Sequence, residues 1–117
     1  MTDEELKART KKYAVRSIRL SESLPRNRAG NHIANQLLRS GTSVGANYRA
    51  ACRARSRADF ISKMGIVEEE ADESLYWMEL LIEASLQKPA RLKPLMQEGD
   101  EILAIICASI TTARSRR

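Results

Sequence analysis

RSGTSVGANYRAACRARSR, residues 39–57, holds five arginines, no acidic residue, two glycines at helical spacing and a break at Ser56. Inside a helix Gly41 and Gly45 each cost about 1 kcal/mol relative to alanine. A helix that carries both gains something in return, and the gain expected here is close approach of another helix at the Gly41/Gly45 side. A phosphate-cradling loop is the alternative. It needs a preceding strand and a P-loop lysine, and GTSVGAN has neither.

Working outward, the helix containing this stretch is expected from about 27 to 53. At about 100° per residue, Ile33, Leu37, Gly41, Val44, Tyr48 and Ala51 share one arc. Arg28, Arg39, Arg49 and Arg53 gather opposite, and Ala34, Leu38, Gly45 and Cys52 flank the core arc.

On the C-terminal side, Ser56 and Asp59 have capping-box spacing and open a third helix at about 57–86. Its core stripe is Phe60, Met64, Val67, Ala71, Leu75 with Ser74, Met78, and Ile82 with Leu81. The other side is not cleanly polar. Ile66, Trp77, Leu80 and Ala84 cluster there beside Tyr76, edged by Glu69, Glu70 and Glu73. A helix apolar on two sides needs a second partner, either another helix of the bundle or another subunit. A subunit interface is favoured, since Trp and Tyr are enriched as interface anchors.

On the N-terminal side, Thr2 and Glu5 form a capping box for a first helix at about 3–24, which Pro25 ends. Leu6, Thr10, Tyr13, Ser17, Leu20 and Leu24 make a narrow stripe, and Arg9, Lys12, Arg16 and Arg19 are placed on its outer side. A fourth helix is expected from about 91 to 115, with Pro94 in its first turn and Leu92, Leu95 or Met96, Gly99, Leu103, Ile106, Ile110 and Ala113 facing inward. Arg114, Arg116 and Arg117 form a frayed tail. The pattern predicts an all-α protein, an antiparallel up-down-up-down four-helix bundle in a single domain spanning 1–117.

The 117 residues are enough for one core, and five aromatics with three prolines argue against a sheet. No apolar run is long enough for a membrane span, so a cytoplasmic protein is expected. Cys52 and Cys107, both among small apolar residues, read as free, buried structural thiols. Charge is segregated: residues 26–57 carry seven arginines and no acid, whereas 58–88 carry two lysines against eight acids. Such a layout serves a polyanion or an acidic face on a neighbouring subunit.

Catalysis finds little to work with. His32 is the only histidine, with no partner at a recognisable spacing. The run Glu68, Glu69, Glu70, Asp72 and Glu73 suggests a di-metal bundle, but no Glu-x-x-His pair accompanies it, so no metal, cofactor or catalytic residue is expected. Arg28, Arg39, Arg49, Arg53 and Arg57 are the candidate nucleic-acid contacts. Without stacking aromatics they would hold phosphates of RNA or DNA regardless of sequence. The competing reading is a purely structural or protein-interaction module whose arginines form ion pairs between subunits.

LPRNRAGNHIANQLLRSGTSVGANYRAACRARSRADFISKMGIVEEEADESLYWMELL, residues 24–81, resembles the four-helix bundle proteins found in intervening sequences of bacterial large-subunit ribosomal RNA. The matching elements are Leu24-Pro25, the Arg39–Tyr48 run, Asp59-Phe60, Glu70–Ser74 and Tyr76-Trp77. The resemblance spans roughly Tyr13 to Ile110. It implies a ring-like homopentamer without catalytic residues. A related fold is the accessory protein of diversity-generating retroelements, a basic pentameric barrel that implies nucleic acid and a reverse transcriptase as partners. Where that family often has Glu after Arg49, this chain has Ala50, which removes an acid from the basic stripe.

Overall fold

The computed structural model describes residues 1–116, and Arg117 lies outside them. Four helices follow in order: α1 Asp3–Glu22, α2 Arg28–Cys52, α3 Arg57–Glu83 and α4 Pro89–Ser115. Each packs against its sequence neighbours and α4 returns to α1, closing an up-down-up-down four-helix bundle of 50 × 21 × 21 Å.

Local chemistry sets most of the helix ends. Thr2 Oγ1 accepts the Glu5 N–H at 3.1 Å while the Glu5 carboxylate accepts the Thr2 N–H, a complete capping box. Asn27 caps α2 through the Gly30 N–H at 2.8 Å. Ser56 accepts the Asp59 N–H at 3.0 Å, but the expected reciprocal bond is absent, because Asp59 turns to the Arg55 N–H and to Lys63.

α1 stops at Glu22, and Leu24 stays in the core beyond the helix end. α3 ends at Glu83, three residues before the expected end. The Ser85 N–H returns to the Ile82 carbonyl at 3.0 Å and the Leu86 N–H to Leu81 at 2.8 Å, with Ser85 at φ 56°. This is a Schellman closure with serine in the left-handed position usually held by glycine. α4 begins two residues earlier than expected because Pro89, with φ preset for a helix, takes its first position. Pro94 therefore lies in the second turn, where its missing N–H leaves the exposed Ala90 carbonyl to water.

The core follows the expected arcs on α1 and α2, with Tyr13, Leu37 and Val44 fully enclosed. On α3 the buried residue at the C-terminal end is Leu81, and Phe60 and Ile82 are only partly covered. On α4 Ile102 is fully buried and Leu103 half-buried, reversing the expectation. Arg9 is not outward-facing: it donates to Glu98 at 3.0 Å and to Glu101 at 3.2 Å, tying α1 to α4. Cys107 is exposed rather than buried, and Cys52 is half-buried.

At Gly41 a Cβ would lie 2.5 Å from Ser17 Cβ, and at Gly45 one would lie 3.3 Å from the Thr10 carbonyl carbon. The two glycines let α1 and α2 approach backbone to backbone.

Candidate nucleic-acid interface

The arginines of α2 do not act as one stripe. Arg39 leans toward α3, where its guanidinium donates to Glu70 at 3.1 Å and also pairs with Glu73. It is neutralised inside the protomer. Arg28 opens α2, about 37 Å along the helix from Arg53 at 1.5 Å per residue. Arg49 and Arg53 lie at the far end of α2, exposed and without a carboxylate within ion-pair distance among the described residues.

The antiparallel topology brings further arginines to that end. Arg55 occupies the α2–α3 connection, Arg57 starts α3, and α4 ends on Arg114 and Arg116, all exposed. One pole of the rod thus carries Arg49, Arg53, Arg55, Arg57, Arg114 and Arg116. The acids nearby are engaged: Tyr48 Oη donates to Asp3, Glu4 pairs with Lys7, Glu5 caps α1, and Asp59 takes the Arg55 N–H and Lys63. Lys63 and the Arg55 N–H hold the Asp59 carboxyl below its ordinary value. Arg49 and Arg114 sit in the last turns of their helices, where cations suit the negative dipole end.

Three of the five expected contacts, Arg49, Arg53 and Arg57, therefore come together, while Arg28 and Arg39 do not join them. Arg55, Arg114 and Arg116 complete the pole, and the sequence reading does not place them there. Charge alone marks them in the sequence, and nothing local tells that residues 53–57 and 114–116 share one end.

The second apolar side of α3 divides in two. Trp77 and Leu80 are partly buried against the protomer's own core, whereas Ile66, Tyr76 and Ala84 are exposed. Trp77 meets His32 of α2 edge-on at 5.7 Å and Tyr76 at 5.2 Å, and its indole N–H donates to Glu73 at 3.1 Å.

A groove of about 570 Å³ runs between α1 and α2, floored by Ala14, Gly45 and Ala46 and rimmed by Glu4, Lys7, Lys11 and Arg49, with Lys7 paired to Glu4 at 3.2 Å. Among the described residues no three His, Cys, Asp or Glu side chains are placed to hold a metal ion. Cys107 Sγ donates to Glu68 at 3.5 Å, and partial burial with the Glu68 charge pushes its thiol up, away from reactive thiolate. No helix among the described residues is long and apolar enough to cross a membrane.

The architecture defines a small four-helix bundle with an arginine-rich pole where α2 and α4 end and α3 begins. Over residues 3–108 the chain matches the 23S rRNA-intervening sequence protein family, and it belongs to that family. A solved structure from Bacteroides thetaiotaomicron VPI-5482, a protein of unknown function from the S23 ribosomal protein family, is 35% identical. The match covers 95% of this chain and 99% of that one, with a TM-score of 0.84. No curated protein matches the chain.

Proposed function

We propose that the protein is a non-enzymatic, self-assembling accessory factor that holds RNA or DNA by its phosphates through the arginine pole. The observation that carries this reading is the gathering of Arg49, Arg53, Arg55, Arg57, Arg114 and Arg116 at one end while the acids there are occupied. Each phosphate neutralised by such a side chain releases condensed counterions, and the aromatics at the pole, Tyr48 and Phe60, pack into the core rather than stand free to stack on bases, so binding is indifferent to sequence. The family resemblance supports five copies per assembly. Five linked poles gain avidity without new contacts. A nucleoprotein partner such as a reverse transcriptase, and a cytoplasmic setting, go with this reading.

Arg39 fits neither this reading nor the alternative of arginine ion pairs between subunits. Arg39 is already paired with Glu70 and Glu73, so at least one arginine serves the bundle itself.

The test is fluorescence anisotropy of a labelled RNA and an unrelated DNA of equal length, from about 50 to about 200 mM salt. Both should bind at the low end and weaken steeply at the high end. Replacing Arg49, Arg53 and Arg57 together with glutamine should cut affinity and flatten the salt slope, whereas Arg39→Gln should change it little. No binding by the wild type at the low salt limit refutes the proposal. Collapse of the triple variant into monomers would instead show that the arginines hold subunits together.

A further inference from the structure

The seam between α1 and α4 is the loosest of the four, and at the end of the rod away from the arginine pole it opens into a cleft of about 400 Å³. Arg16 and Arg19 line it from α1, Arg91 from α4 and Gln87 from the connection before α4, around the half-buried Leu20 and the buried Leu95. None of these three guanidiniums has a carboxylate within ion-pair distance among the described residues. Glu98 and Glu101, further along the seam, are held by Arg9, and Glu22 lines a separate cleft on the α2 side of α1. Gln87 adds a donor. Its side-chain oxygen accepts the Lys88 N–H at 3.0 Å, which leaves its NH2 group to donate.

Helix stability does not explain this gathering. Arg91 stands in the first turn of α4, a turn without an acid, where the positive end of the dipole disfavours a cation. Three cations brought together without a counterion repel one another, and a bound anion relieves that repulsion. Nor does the cleft continue the arginine pole. Arg91 lies about 34 Å from Arg114 along α4 at 1.5 Å per residue, and Glu98 and Glu101 stand between them. A nucleic-acid backbone tracking the seam would meet those carboxylates.

We infer that this cleft is a second anion site, which binds a diphosphate group, free or carried on a small organic molecule. Each planar guanidinium fork takes up a pair of phosphate oxygens, and three forks with the Gln87 amide suit two linked phosphates better than one. Leu20 and Leu95 offer an apolar surface to whatever carries the diphosphate. The volume falls in the range of small-molecule sites, roughly 300–1,000 Å³.

Isothermal titration calorimetry of the full-length protein at about 50 mM salt tests this, with inorganic diphosphate, ADP, inorganic phosphate and citrate as probes and a chelator present. Diphosphate and ADP should bind once per protomer, and phosphate and citrate at least about tenfold more weakly. ADP binding ahead of diphosphate supports a carried group resting on the leucines, and equal affinities support the free anion. Arg16→Gln with Arg91→Gln should weaken diphosphate about a hundredfold while RNA binding persists, and the Arg49, Arg53 and Arg57 variant should still take diphosphate. Should circular dichroism show the double variant unfolded, Arg19→Gln on the exposed last turn of α1 replaces it, with a loss of about tenfold.

No diphosphate binding by the wild type overturns the inference, as does citrate or single phosphate binding equally well. Diphosphate lost by the pole variant and kept by the cleft variant places the anion at the pole and overturns it too. A folded cleft variant that loses RNA together with diphosphate makes the cleft part of the nucleic-acid surface, which removes the separate site while leaving phosphate binding by the protein intact.

Discussion

The Tyr13 hydroxyl meets Ser74 Oγ at 2.8 Å in the buried centre of the bundle, joining α1 to α3 across the diagonal. Ser74 donates its own hydroxyl proton in a hydrogen bond to the Ala71 carbonyl at 2.7 Å, so Tyr13 is the donor to Ser74. Gly99 of α4 makes room for it, since a Cβ there would lie 2.7 Å from the Tyr13 oxygen.

The two ends of this bond are unequal, and their variants should be too. Tyr13→Phe leaves Ser74 still bonded to Ala71 and should cost about 1 kcal/mol, the net worth of an ordinary hydrogen bond. Ser74→Ala leaves a buried phenol without an acceptor and should cost more, up to about 3 kcal/mol. Urea unfolding of both variants measures the order. Equal losses would mean that the tyrosine finds another acceptor.

The same burial makes the bundle sensitive to alkali. Burial pushes the Tyr13 hydroxyl up to about 12, against an ordinary value near 10 in the unfolded chain. Between about pH 10 and pH 12 the folded state keeps a proton that the unfolded chain has lost, so stability falls as pH rises through that window and is fully present below it. Burial raises Tyr48 as well, aided by Cys52 and Asp3. Tyr13→Phe should flatten the alkaline decline of the urea midpoint without abolishing it.

Two glycines should respond in opposite directions. Gly65 sits within α3 with nothing near its missing Cβ, so Gly65→Ala should stabilise by about 1 kcal/mol. Gly41→Ala brings the same propensity gain but drives a Cβ against Ser17, and overpacking of this kind costs about 1–3 kcal/mol. Thermal unfolding should therefore show one midpoint rising and the other falling. Ser17→Gly should rescue much of the Gly41→Ala loss, which ties the effect to that contact.

Ser85 offers a simple gain. A non-glycine residue in the left-handed region costs about 1–2 kcal/mol, and among the described residues the Ser85 side chain makes no hydrogen bond that repays it. Ser85→Gly should raise stability by about 1 kcal/mol while the Leu86-to-Leu81 bond persists. Unchanged or lower stability would show that the entropy of a freer unfolded chain outweighs the relieved strain.

What the sequence alone determined here is local in origin. The Thr2/Glu5 box, the Asn27 and Ser56 starts, the Pro25 stop and the inward arc from Ile33 to Ala51 depend on residues within a few turns of one another. The Gly41/Gly45 approach was legible for the same reason, since two helix-weakening residues on one face imply a neighbour. The end of α3 was not, because its Schellman turn uses serine where the recognisable signal is glycine. Only the tertiary structure decided how far each helix is rotated about its own axis and which neighbour its flanks meet. That rotation buries Ile102 rather than Leu103, takes Arg9 to Glu98 and Arg39 to Glu70, and half-covers Trp77 with α2. The antiparallel connection of four rods likewise carries Arg114 and Arg116 to the pole of Arg49–Arg57, a meeting of residues some sixty positions apart. Periodicity names a helix's inner face, but the packing of all four helices together assigns its edges.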